Sequence, residues 1–122
     1  MATVVVIDDE TMNADALAFV LAAEGLEAHI AADGAAGLRV IYEVKPDVVI
    51  TDFMMPVMTG FELARVLRAN IETASLPLIL LTAAQANLGR EHPELFDAVF
   101  EKPCMPPEVI AAVHRLIDSK RK

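Results

Sequence analysis

Val4-Val5-Val6-Ile7-Asp8-Asp9-Glu10 is the stretch that decides the fold. Its first four residues are all β-branched, with no polar residue between them. An alternating strand keeps one face in water, whereas a continuous apolar one is buried on both. The run then stops in three consecutive acids. Two more stretches behave in the same way: Val48-Val49-Ile50 ends in Thr51-Asp52, and Leu78-Ile79-Leu80-Leu81 ends in Thr82. Two weaker strands are expected at Ala28–Ala31, where His29 suits an edge, and at Ala98-Val99-Phe100, which ends in Glu101-Lys102-Pro103.

Helical spacing fills the intervals. Ala14, Leu17, Ala18 and Leu21 share one face, as do Gly37, Val40, Ile41 and Val44. Gly60, Leu63, Ala64 and Leu67 form a third stripe, and Val109, Ala112, Val113, Leu116 and Ile117 a last one. Each stripe can lie on a sheet. Between Thr82 and Ala98 the breakers Gly89 and Pro93 predict a short or irregular helix. Strands alternating with helices imply an α/β fold with a parallel sheet covered on both sides. Five strands favour the flavodoxin-like arrangement, a (βα)5 three-layer sandwich with strand order 2-1-3-4-5.

Composition narrows the function. At 122 residues the chain is expected to be one domain, spanning 1–122. It carries 18 acidic and 10 basic residues, a formal charge of −8, which argues against direct nucleic-acid binding. One cysteine allows no internal disulfide. The apolar runs are too short to cross a membrane, and Met1-Ala2-Thr3 opens no basic, cleavable leader. A cytoplasmic location without membrane insertion is the expectation.

In an open parallel sheet all strand ends of one polarity share an edge, and ligands bind there. Asp8, Asp9, Asp52, Thr82 and Lys102 are therefore expected to converge. Each has a bland reading: a helix cap for Asp8-Asp9 or Thr82, a turn acid for Asp52, a loop for Lys102-Pro103. Their joint occurrence at four strand ends favours a site. Three carboxylates in one crevice repel and need a counter-charge, and an all-oxygen set suits Mg²⁺. A metal, an ammonium and a hydroxyl are what a phosphoryl group requires around its oxygens. An ionised carboxylate can itself be the nucleophile.

These residues resemble the receiver domain of two-component response regulators, of the chemotaxis-receiver type. The likeness rests on Val5-Val6-Ile7-Asp8-Asp9-Glu10, on Asp52-Phe53-Met54-Met55-Pro56-Val57-Met58-Thr59-Gly60, on Leu80-Leu81-Thr82-Ala83 and on Lys102-Pro103. It runs from Thr3 to about Ser119. The resemblance implies that Asp52 accepts the phosphoryl group from a phosphohistidine on a sensor histidine kinase or a histidine phosphotransfer protein. It implies that Asp9 binds Mg²⁺ directly, Asp8 mainly through water, and Met54 through its backbone carbonyl. Thr82 would supply the switch hydroxyl and Lys102 the ammonium that pairs with the phosphoryl oxygens. The Lys102–Pro103 bond would be cis. Such a domain is a signalling phosphoacceptor with limited self-catalysis rather than a conventional enzyme. The alternative is a pseudo-receiver, an interaction module that is not phosphorylated.

Other readings fit poorly. A flavin carrier of this fold needs a Ser/Thr/Gly-rich phosphate loop where Asp8-Asp9-Glu10 stands. A haloacid-dehalogenase-type phosphatase needs an acid where Met54 stands. Two departures from the receiver pattern bear on output. Val99 occupies a position that is aromatic in many relatives, and neighbouring Phe100 is expected on the opposite face. The Thr82-to-Lys102 stretch carries Pro93 and lacks the usual Gly-Ala turn. Met54, Met55 and Met58 are expected to pack around the site, and Cys104 to fill apolar space. His29, His92 and His114 form no ligand spacing. Pro56 and Gly60 are expected to mark the turn into the third helix, and the helix from Thr11 flanks the acidic edge. The basic tail Ser119-Lys120-Arg121-Lys122 suits a frayed end or the stub of a linker.

Overall fold

The computed structural model describes residues 1–103 and 106–120; Cys104 and the tail residues Arg121 and Lys122 lie outside the described residues. Its strands are β1 (Thr3–Ile7), β2 (Glu27–Ala31), β3 (Val48–Thr51), β4 (Leu78–Thr82) and β5 (Ala98–Glu101). Its helices are α1 (Thr11–Ala23), α2 (Gly34–Val44), α3 (Gly60–Ala69), α4 (Ala86–Arg90) and α5 (Pro106–Lys120). All strand pairs are parallel, in the order β2-β1-β3-β4-β5. The expected flavodoxin-like sheet is the one observed.

Continuous apolar strands work because two separate cores claim alternate residues. Val4 and Val6 of β1 join Val48, Ile50 and Ile79 in a core capped by α1 and α5. Val5 and Ile7 join Val49, Leu78 and Leu80 in a core capped by α2 and α3. The same alternation puts Phe100 against the first core and Val99 against the second. Burying one such side chain stabilises by roughly 1.5–3 kcal/mol, so neither core is dispensable.

The helix between β4 and β5 is a five-residue segment, as Gly89 and Pro93 predict. Gly89 is needed there: a Cβ would meet Leu80 and Val99, so α4 lies against the sheet backbone-close. Helix α1 differs from the others in being apolar on nearly every side, and Met12 and Phe19 remain 84% and 78% exposed. No helix is long and apolar enough to cross a membrane among the described residues.

Candidate functional site

Three strand ends build the site. β1 delivers Asp8, β3 delivers Asp52, and the residue after β5 is Lys102. Register aligns Ile7 with Thr51, so the two aspartates leave the sheet at one level. The Asp8 N–H donates to Ala31 O and the Asp52 N–H to Ile7 O, at 3.1 and 3.0 Å, extending the ladders by one residue. Both aspartates are buried, at 6% and 7% exposure.

Lys102 joins them. Its Nζ donates to Asp8 Oδ2 at 2.9 Å and lies 3.5 Å from Asp52 Oδ2. Its backbone N–H donates to Thr82 O at 2.8 Å, and the Lys102–Pro103 bond is cis as expected. Burial opposes the charge on Lys102, but the hydrogen bond to Asp8 and the charges of Asp52, Asp8 and Glu10 outweigh it. Its pKa therefore stands above the ordinary 10.5, and the ammonium is a fixed positive charge at neutral pH.

The helix-cap reading of Asp8-Asp9 does not hold. The residue capping α1 is Glu10, and its side chain makes no cap hydrogen bond. Asp8 Oδ1 instead accepts from the Glu10 N–H at 2.9 Å, folding the loop back over the strand end. Carboxylate oxygens of Asp8, Glu10 and Asp52 all lie within 4.8 Å of one another. Asp9 is exposed, and that set does not include it. Glu10, also exposed, is thus a site residue that motif and strand-end position alone do not single out. Hard carboxylate oxygens at this spacing suit a hard divalent cation.

Thr82 is buried, and its hydroxyl is engaged locally. It donates to Ala84 O at 2.7 Å and accepts from the Ala84 N–H at 3.2 Å. It closes a turn rather than capping α4, whose N-cap is Gln85. Met54 corrects one expectation: it is 59% exposed rather than packed, because the loop turns it outward while Met55 goes into the core. Met58 does pack, close against Gly34, where a Cβ would meet Met58 Cβ at 2.7 Å. The three histidines serve no common site. His29, His92 and His114 pair with Glu27, Glu94 and Glu24 respectively.

The β3–α3 loop is held on both sides of the acceptor. Phe53 N–H donates to Asp52 Oδ1 at 2.7 Å, and Gly60 N–H to Phe53 O at 2.9 Å. Thr59 and Glu62 form a reciprocal capping box at the start of α3. The expected turn through Pro56 and Gly60 is present, with Val57 at φ 70° at its apex.

Known proteins share this arrangement. The family model "Response regulator receiver domain" matches residues 4–114. The DNA-binding response regulator MtrA of Mycobacterium tuberculosis is 35% identical over 114 residues, which cover 90% of this chain and 48% of that protein. The chain thus spans about half the length of the curated relatives it matches. A response regulator receiver domain protein from Clostridium thermocellum superimposes with a TM-score of 0.89 at 29% identity, covering 99% of this chain and 98% of that one. The signal receiver domain of a signal transduction histidine kinase from Syntrophus aciditrophicus gives 0.88 at 26% identity, covering 98% and 92%. With the motif order, the strand order and the aspartate–lysine edge all in agreement, the chain belongs to the response regulator receiver domain family.

Proposed function

We propose that the domain is a phosphoacceptor of a two-component phosphorelay, with Asp52 taking the phosphoryl group. The observation that carries this reading is Lys102 Nζ set between Asp8 Oδ2 and Asp52 Oδ2, with Glu10 beside them. Asp52 Oδ2 attacks the phosphorus of a phosphohistidine on a sensor histidine kinase or a histidine phosphotransfer protein. The O–P bond forms as the P–N bond breaks, and the released imidazole takes a proton from solvent. Lys102 then pairs with the phosphoryl oxygens, a shift of partner rather than of charge. Asp8, Asp9 and the Met54 backbone carbonyl would hold Mg²⁺, with Asp52 as a further ligand and Glu10 alongside. When bound, the ion offsets the negative charge gathered on the transferring group.

Thr82 supplies the switch. Its hydroxyl can exchange Ala84 O for a phosphoryl oxygen, drawing the β4–α4 loop toward β3. The domain would catalyse its own phosphorylation and later hydrolysis to a limited extent, as a signalling phosphoacceptor and not a turnover enzyme. The MtrA relatives are DNA-binding, but this chain covers about half of such a protein. Its own charge of −8 does not suit a phosphate backbone, so any nucleic-acid contact would belong to another segment.

The test is incubation with Mg²⁺ and acetyl phosphate, read by intact-mass spectrometry. One added phosphoryl is expected on the wild type and none on Asp52→Asn, with slower transfer or a lost conformational response in Lys102→Ala. An unmodified wild type would leave the pseudo-receiver reading in place. An equal adduct on Asp52→Asn would move the acceptor elsewhere.

A further inference from the structure

Phe61, in the first turn of α3, sits at the centre of a cluster that the phosphoacceptor chemistry does not use. Its ring meets Phe53 edge-on at 6.3 Å and 63°. It meets His92 edge-on at 4.9 Å and 89°. The Arg65 guanidinium carbon lies 4.6 Å from its centroid, and His92 Nδ1 is 2.8 Å from Glu94 Oε2. The cluster therefore runs from the residue after Asp52 to the connection between α4 and β5.

The near end of this cluster is tied to the acceptor by backbone. Phe53 N–H donates to Asp52 Oδ1, and Gly60 N–H donates to Phe53 O. A Cβ on Gly60 would collide with the Asp52 carbonyl oxygen, so the start of α3 and the acceptor peptide are in contact without slack. At the far end, position 99 holds a valine lodged against Gly89, which has no ring to swing.

We propose that Phe61 couples the charge on Asp52 to the position of the 91–94 segment, through its contacts with Phe53 and His92. The proposal rests on Asp52 being the phosphoacceptor. Asp52 Oδ2 is the oxygen nearer Lys102, at 3.5 Å. Once it carries the phosphoryl group, Oδ1 becomes the carbonyl oxygen of a mixed anhydride. A charged acceptor makes the shorter and stronger hydrogen bond, so the bond from Phe53 N–H weakens. Phe53 and the first residues of α3 then relax together. Edge-to-face contacts are directional, so a tilt of the Phe61 ring changes which placement of His92 is favoured.

Histidine ring NMR tests this, with Mg²⁺ and beryllofluoride as the phosphoryl mimic. The chain holds three histidines, so His29 on β2 and His114 on α5 are internal references. In the wild type, the amides of Asp52 and Phe53 and the ring protons of His92 should shift by more than their line widths. The rings of His29 and His114 should stay in place. Phe61→Leu should keep the response at Asp52 and Phe53 and lose it at His92, and Phe61→Tyr should restore it. A still His92 ring beside shifted Asp52 and Phe53 amides overturns the coupling and leaves the phosphoacceptor reading standing. A His92 response that survives in Phe61→Leu also overturns it. No response at Asp52 overturns the phosphoacceptor reading, and this proposal with it. If Phe61→Leu does not fold, Phe61→Met takes its place with the same expectation, and a still His92 ring in the wild type overturns the coupling in either case.

Discussion

Helices α3 and α4 both begin a few residues after a site residue, yet they are built to different standards. α3 enters through Thr59, whose hydroxyl accepts from Glu62 N–H while the Glu62 carboxylate accepts from Thr59 N–H. It runs for ten residues and buries Leu63, Ala64 and Leu67. α4 enters through Gln85 in the left-handed region at φ 67°, with no side-chain cap, and ends after five residues. A segment with few local bonds opens first. The well-capped helix follows Asp52, and the weakly capped one follows Thr82, whose hydroxyl is the group proposed to change partner.

The comparison breaks most severely at Gly60. A methyl group there would be driven into the Asp52 carbonyl oxygen, which is backbone and cannot step aside. Gly60→Ala should cost about 3 kcal/mol, the upper end of ordinary overpacking. Gly89→Ala faces the same kind of crowding, but from side chains that can rotate, Leu80 and Val99. Urea unfolding of both variants should therefore rank Gly60 well above Gly89.

Arg68 comes next, because it binds the stable helix to the weak connection. Its guanidinium donates to Glu94 O, Ala74 O, Leu76 O and Leu95 O and reaches Asp97 Oδ2 at 3.1 Å. Arg68→Ala should cost about 2 kcal/mol, since it strips charge-assisted bonds from several carbonyls at once. Arg68→Lys should recover little of that, because an ammonium cannot present the guanidinium fork. Amide exchange should then speed up across residues 94–97 before it does in β1 or β3.

What the sequence showed and what it hid divide along the same line. The five strands and the convergence of Asp8, Asp52 and Lys102 were legible because they follow from periodicity and from one rule about strand ends. Side-chain direction in loops was not. Nothing in Asp8-Asp9-Glu10 says that Glu10, exposed like Asp9, brings a carboxylate oxygen within 4.8 Å of those of Asp8 and Asp52 while Asp9 lies outside that set; the Asp8 bond to Glu10 N–H is a loop contact that periodicity does not reveal. Arg68 and Phe61 lie outside the apolar stripe of α3, which dominates the pattern there. Phe61, Arg65 and Arg68 stand at i, i+4 and i+7, a second stripe beside the first, and that spacing was the available signal.

Strain offers a smaller test in the opposite direction. Val57 takes φ 70°, and Met58 N–H donates back to Pro56 O at 2.7 Å, the bond of a γ-turn. A β-branched residue is poorly suited to that region. Val57→Gly should stabilise by roughly 0.5–1 kcal/mol, the strain released less the entropy glycine loses on folding. Gln85→Gly, at φ 67° before α4, should gain less, since an unbranched side chain tolerates the region better. Thermal melts of the two variants would measure the difference.

The smallest effect is a pH dependence confined to the α3 entry. Hydrogen bonds from the Thr59 backbone and side chain hold the Glu62 carboxyl below its ordinary 4.5. A carboxylate with a lowered folded pKa adds stability above the unfolded value and loses it as pH falls through the folded one. The destabilisation caused by Glu62→Ala should therefore be constant from neutral pH down to about 4.5 and shrink below it. Glu62→Gln, which can still accept from Thr59 N–H, should show a flatter profile over the same range. Because α4 has no acidic residue in its first turn, the amides of 86–90 should show no matching step in exchange rate over that interval. A step of equal size in both helices would mean that the acid sensitivity belongs to the whole fold and not to this cap.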